Sequence, residues 1–174
     1  MSTSSPISFD AMVRIFRALG VRDPESWARS QADEGSTQLA RALFLKQAWA
    51  DVVPEDDHAW MQTGIAAAER DPDEPFAGAG RALKRMLASG VDARDITDLV
   101  RAMQGELLAS ICYLLGDAGS ARAGLPEGCP DVKWELYEQD DDYNPAAPIS
   151  CLHEDVLGFD PTGREMRPRP RDEK

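Results

Sequence analysis

The sequence predicts a mainly α fold, a multi-helix bundle of about six helices followed by a small irregular or β-like acidic C-terminal segment. Apolar residues recur at helical spacing in successive segments before residue 118. Two of these, Ser36 to Val53 and Asp92 to Gly116, are long and apolar enough to form a central core. Beyond Gly116 the pattern gives way to a Gly- and Pro-rich connector, then to a period of two among dense carboxylates. The expected organisation is therefore a helical bundle over 1–118, a connector over 119–130, an acidic module over 131–166 packed on the bundle, and a flexible tail over 167–174. A chain of 174 residues can bury most of its apolar surface in one such domain.

Taken in order, the first helix starts at Ser8 as N-cap, sets Phe9, Met12, Val13, Phe16 and Leu19 on one face and stops at Gly20. Asp23-Pro24 opens the second, with the aspartate as cap and the proline in the first turn, and Gly35 closes it. The third, Ser36 to Val53, is apolar around most of its circumference, which marks the central core helix. Pro54 is expected to open the fourth, whose inner positions are Trp60, Met61, Ile65 and Ala68, before Asp71 to Pro75 breaks the chain. Phe76, Leu83, Met86 and Leu87 form the inner face of the fifth, which ends at Gly90. The sixth is capped by Asp92, and Ile96, Leu99, Val100, Met103, Leu107, Ile111 and Leu114 keep helical spacing to Gly116. Alternation of Val132, Trp134 and Leu136 with Lys133, Glu135 and Tyr137 predicts a strand. A second extended piece is expected at Ile149 to His153, beyond an acidic loop from Asp140 to Pro148. Asp160-Pro161-Thr162-Gly163 suits a type I turn.

Charge narrows the function classes. Asp131 to Asp160 holds nine carboxylates against one lysine, so this stretch carries −8 of the net −12. Trp134, Tyr137 and Tyr143 lie among the acids, and aromatics within a charge run suggest a contact-making surface more than a solvated tail. A pI near 4.5 argues against direct nucleic-acid binding, which relies on clustered lysine and arginine. Cys112, Cys129 and Cys151 are an odd set without CxxC spacing, as expected of free thiols in the cytoplasm. Met1 to Pro6 has no basic or apolar secretory region, and no apolar run reaches the ~20 residues of a membrane span.

Several patterns suggest chemistry and fall short of it. Asp140-x-Asp142-x-Asn144 copies the start of a calcium loop, but Pro145 stands where a glycine must turn the chain and Cys151 where a bidentate glutamate closes the site. Cys151 and His153 would share one side of a strand as thiol and base, yet surrounding carboxylates oppose a thiolate. His58 beside Asp56 and Asp57 matches a helix start. Gly78 to Lys84 has glycines and a lysine without phosphate-loop spacing, and close helix packing explains it better. No catalytic, cofactor or metal residue is therefore assigned.

The favoured expectation is an acidic protein-binding module, an immunity-type or antitoxin-like inhibitor of a basic partner such as a bacterial cationic toxin. Its partner-binding residues are expected to be Trp134, Tyr137, Glu138, Asp140, Asp141, Asp142, Tyr143, Glu154 and Asp155. The acids could instead fold back on Arg81, Lys84 and Arg85. Two alternatives belong to other classes. One is a small enzyme or ligand-binding protein with a pocket between helices near Trp27, Trp49 and Trp60. The other is a structural helical dimer, paired through Leu108, Tyr113 and Leu115 of the sixth helix. The chain is expected as a monomer or homodimer, without a nucleic-acid or membrane partner.

Overall fold

A computed structural model describes residues 7–116 and 133–169 and is mainly helical, with seven α-helices and one two-stranded ribbon among those residues. The expected connector over 119–130, with Cys129, lies outside the described residues, as do Met1 to Pro6 and residues 170–174. The chain forms two compact units, one of Met1–Ala50 with Leu107–Lys174 and one of Asp51–Glu106.

In the first unit, α1 (Phe9–Leu19) starts where the Ser8 hydroxyl accepts the Ala11 N–H and ends at Gly20, whose φ of +88° few other residues tolerate. Met12, Val13 and Phe16 are its buried positions. Asp23 caps α2 (Pro24–Asp33) by accepting the Ser26 N–H at 3.0 Å, with Pro24 in the first turn. In α3 (Gln38–Ala50), Ala42, Leu45 and Trp49 face inward, whereas Leu43 is exposed. The Trp49 indole donates to the Val156 carbonyl at 2.7 Å, so its burial leaves no unpaired N–H. Trp27 sits between Phe16 and Phe159, each ring centroid 5.7 Å away.

In the second unit, α4 (Ala59–Arg70) and α5 (Ala77–Ala88) pack closely. A Cβ on Gly80 would meet the Gly64 carbonyl oxygen and come 2.7 Å from the Ala68 Cβ, so the glycine sets the approach of the two helices. Met61, Leu83 and Ile96 form the buried cluster, flanked by Trp60, Ile65, Met86 and Val100. Two expectations fail in this unit. The fourth helix begins at Ala59 instead of Pro54, because Gln104 and Arg101 side chains bind the Val53 N–H and carbonyl and Asp57 accepts the Ala59 N–H. Phe76 is not an inner residue: it precedes α5 at φ +73° and is 93% exposed.

Helix α6 (Ala93–Gly116) has the expected limits but not the expected inner face. Ile96 is buried, yet Leu99, Met103, Leu107, Ile111 and Leu114 are exposed. Thr97, Arg101, Gly105, Leu108 and Cys112 take the interior instead. The helix is apolar on more than one side, so spacing alone could not choose the packed face. No helix among the described residues is long and apolar enough to cross a membrane.

The C-terminal ribbon pairs β1 (Tyr137–Gln139) with β2 (Pro145–Pro148) antiparallel, Tyr137 opposite Pro148 and Gln139 opposite Pro145. The first strand lies further along the chain than the alternation indicated. The second falls inside the expected loop, and the segment expected to be extended, Ile149 to His153, runs into a helix at Leu152. Prolines are tolerated in β2 because both strands of a two-stranded ribbon are edges. Ile149 adds one further bond, its N–H donating to the Leu136 carbonyl at 2.7 Å. Short α7 (Leu152–Asp155) and a 3-10 turn (Val156–Phe159) then bury Leu152, Val156 and Phe159.

Candidate functional site

Asp140, Asp141 and Asp142 of the acidic run form the tip of the ribbon, between β1 and β2. The Tyr143 N–H donates to the Asp140 carbonyl and the Asp140 N–H to the Asn144 carbonyl, both at 3.0 Å. These bonds close a three-residue loop whose last member, Tyr143, is left-handed, a common way to end a hairpin. Asp140 holds it in shape: its Oδ1 accepts the N–H groups of Asp142 and Asn144, each at 2.9 Å. Those bonds, chiefly from Asn144, hold the Asp140 carboxyl below its ordinary range. The resemblance to a calcium loop therefore has a structural explanation, since the first ligand position is spent on turning the backbone.

The left-handed position, normally glycine or asparagine, is taken by Tyr143 at φ +64°, and 80% of that residue is exposed. Asp141 and Asp142 beside it are exposed, and Glu138 is half-buried within β1. Tyr137 is exposed and donates to Glu135 at 2.6 Å, a bond that pushes its phenol up. Trp134 is partly exposed, with its indole N–H donating to the Leu114 carbonyl at 2.6 Å; it thus binds one of the carbonyls the end of α6 leaves open. Trp134, Tyr137, Glu138, Asp140, Asp141, Asp142 and Tyr143 thus belong to the ribbon and its approach.

Glu154 and Asp155 lie elsewhere, on α7, where they line a cleft of about 400 Å³. Its walls also carry Asp23, Trp27, Phe159 and Glu165, with Arg22 as the basic residue. Asp155 accepts from Arg41 at 2.6 Å, and the Arg41 guanidinium stands 5.7 Å from the centroid of the Trp27 ring. Glu165 pairs with Arg22, and with Arg167 at 2.7 Å; both hold its carboxyl low. Arg22 also donates to the Gly163 carbonyl at 3.1 Å. Buried Asp160 shapes this last turn, accepting from the Thr162 hydroxyl at 2.7 Å and the Met166 N–H at 2.9 Å. The cleft joins residues from α2, α7 and the final turn, and no local pattern in the sequence marks it.

The other candidates resolve into structural roles. Cys151 does not share a strand face with His153; it precedes α7 in a left-handed conformation, φ +59°. His153 stacks on Tyr113 with ring centroids 4.5 Å apart, and its buried Nδ1 has no hydrogen-bond partner among the described residues. Burial pushes the Cys112 thiol up to about 11, so it stays protonated at neutral pH. His58 bonds Thr97 at 2.8 Å. Lys84 pairs with Glu69 of its own unit at 2.6 Å. Of the three tryptophans considered as pocket residues, Trp27 lines the cleft, Trp49 is buried and Trp60 packs on the second unit's core. Among the described residues no three His, Cys, Asp or Glu side chains are grouped to hold a metal ion. Comparison with protein-family models, curated proteins and solved structures finds no match.

Proposed function

We propose that the chain is an acidic protein-binding module, an immunity-type or antitoxin-like inhibitor that captures a basic partner through the ribbon tip. The observation that carries this reading is Tyr143. A tyrosine held left-handed costs ~1 kcal/mol or more relative to glycine. Being mostly exposed, its ring recovers little of that by packing within its own fold. A partner that covers it supplies the missing contact, and aromatic residues are frequent anchors at interface centres. Asp141 and Asp142, exposed and immediately before Tyr143 in the chain, supply a negative field that speeds encounter with a cationic surface.

The test is capture from the producing cell by the full chain at low and physiological salt, with the retained protein then used as analyte. The triple variant E138Q/D141N/D142N spares Asp140, which holds the turn. It is expected to slow association roughly tenfold at low salt, with the difference shrinking as salt rises. Tyr143→Ala is expected to raise the dissociation rate. Failure to retain a basic protein, or binding insensitive to both variants, refutes the reading.

A homodimer is the second reading, favoured by the exposed row Leu107, Ile111 and Leu114 on α6. Self-association of such a face uses the same patch on both copies. Leu108, expected to serve that surface, is buried and unavailable to it. Light scattering across protein concentration, with Leu107→Lys as the disrupting variant, decides this reading.

A further inference from the structure

The cleft on the first unit has chemistry that the ribbon tip does not use. Its walls set four carboxylates, Asp23, Glu154, Asp155 and Glu165, against the single guanidinium of Arg22. Three of the acids have work inside the fold. Asp23 caps α2, Asp155 accepts from Arg41, and Glu165 accepts from Arg22 and Arg167. Glu154 is exposed, and its carboxylate, unlike its backbone N–H, makes no hydrogen bond or ion pair with the described residues. The acid excess accompanies two aromatic walls, Trp27 and Phe159, in a space of about 400 Å³, within the size range of small-ligand sites.

A carboxylate beside an aromatic ring suits a cation that can use both. An ammonium is compact and strongly hydrated, so it gives up more on leaving water. A guanidinium is planar, binds a carboxylate through two N–H groups and stacks on rings. The fold already contains such an arrangement: Arg41 lies over Trp27 and bonds Asp155 at 2.6 Å. We propose that the cleft receives a guanidinium group, borne by an arginine of another chain or by a small molecule, with Glu154 as its carboxylate partner and Trp27 as its aromatic wall. The cleft can do this whether or not the ribbon tip captures a protein.

The experiment is an NMR titration of the full ¹⁵N-labelled chain with N-acetyl-L-arginine amide and its lysine and norleucine counterparts. The arginine probe is expected to shift the amides of residues 154–159 and the Trp27 indole in a saturable way. The lysine probe is expected to bind at least about threefold more weakly, and the norleucine probe not to bind at the cleft. Glu154→Gln, which changes an exposed side chain without internal bonds, is expected to weaken the arginine probe roughly threefold, with signals elsewhere unchanged. Blocked Gly-Arg-Gly binding more tightly than agmatine assigns a chain-borne arginine as the source; the reverse assigns a small molecule, and either keeps the site. The proposal is overturned if the arginine probe leaves the cleft signals unmoved. Equal binding of the lysine or norleucine probe, or unchanged affinity in Glu154→Gln, also overturns it.

Discussion

Gly80→Ala and Gly64→Ala are the same chemical change on facing helices, and the structure gives them opposite signs. Alanine favours a helix interior over glycine by ~1 kcal/mol, so propensity alone makes both stabilising. At Gly64 the added methyl would stand 3.6 Å from the Leu83 Cδ1, an ordinary contact, and the gain should survive. At Gly80 it would collide with the Gly64 carbonyl oxygen and lie 2.7 Å from the Ala68 Cβ. Backbone cannot rotate aside as a side chain can, so α5 must lift from α4. Overpacking of this kind costs ~1–3 kcal/mol and can cost more, and a backbone clash belongs at the upper end. The expected net loss is ~2 kcal/mol after the propensity gain. With a urea m-value of ~2 kcal/mol/M, the midpoint of the second unit should fall by ~1 M in Gly80→Ala, while Gly64→Ala holds or gains slightly. The Trp60 indole NMR signal reports this unit by itself, since Trp27, Trp49 and Trp134 belong to the other. A Gly80→Ala midpoint equal to or above that of the parent refutes the packing account of the glycine-rich stretch.

Trp49→Ala should cost ~3–5 kcal/mol in a denaturant titration, because 2% exposure makes it core and the Val156 carbonyl loses its donor; a negligible loss would return Trp49 to the surface. Tyr143→Gly should stabilise the ribbon by ~1 kcal/mol while weakening partner capture, and slower amide exchange at Asp140 and Asn144 reads the first effect. A ribbon loosened by that glycine would show the left-handed conformation to be unstrained. Acid should open the tip. The Asp140 carboxyl is held below its ordinary 3.8, so its contribution is fully present above that value and lost as pH falls through its lower native value. The amides of Asp142 and Asn144 should lose their hydrogen-bonded shifts over that window, and no change there contradicts the cap.

Features decided within a few residues were legible in the sequence. Ser8, Gly20 and Asp23-Pro24 bound α1 and α2 where expected because a cap or a left-handed glycine acts on the turn beside it. Features decided at a distance were not. Nothing near Val53 says that Gln104 and Arg101 will take both its peptide groups and delay α4 to Ala59. On α6 that same Arg101 is buried, although a charged residue ordinarily marks the solvent side. Its guanidinium reaches the Val53 carbonyl, so the polar end is satisfied while the stem packs.

The acidic run shows the same division. Its charge and aromatics were visible in order, but whether they formed one surface was not. Glu138 to Tyr143 are joined by a turn that Asp140 organises from within, whereas Glu154 and Asp155 are carried to a different place by α7. The cleft they line depends on Arg22 meeting Glu165 and on Trp27 meeting Phe159, pairings across well over a hundred residues that no periodicity encodes. A run of like charges therefore need not form one binding surface. Here it is divided between an exposed tip and a walled cleft, which is why capture of a basic protein is proposed at the first and of a guanidinium at the second.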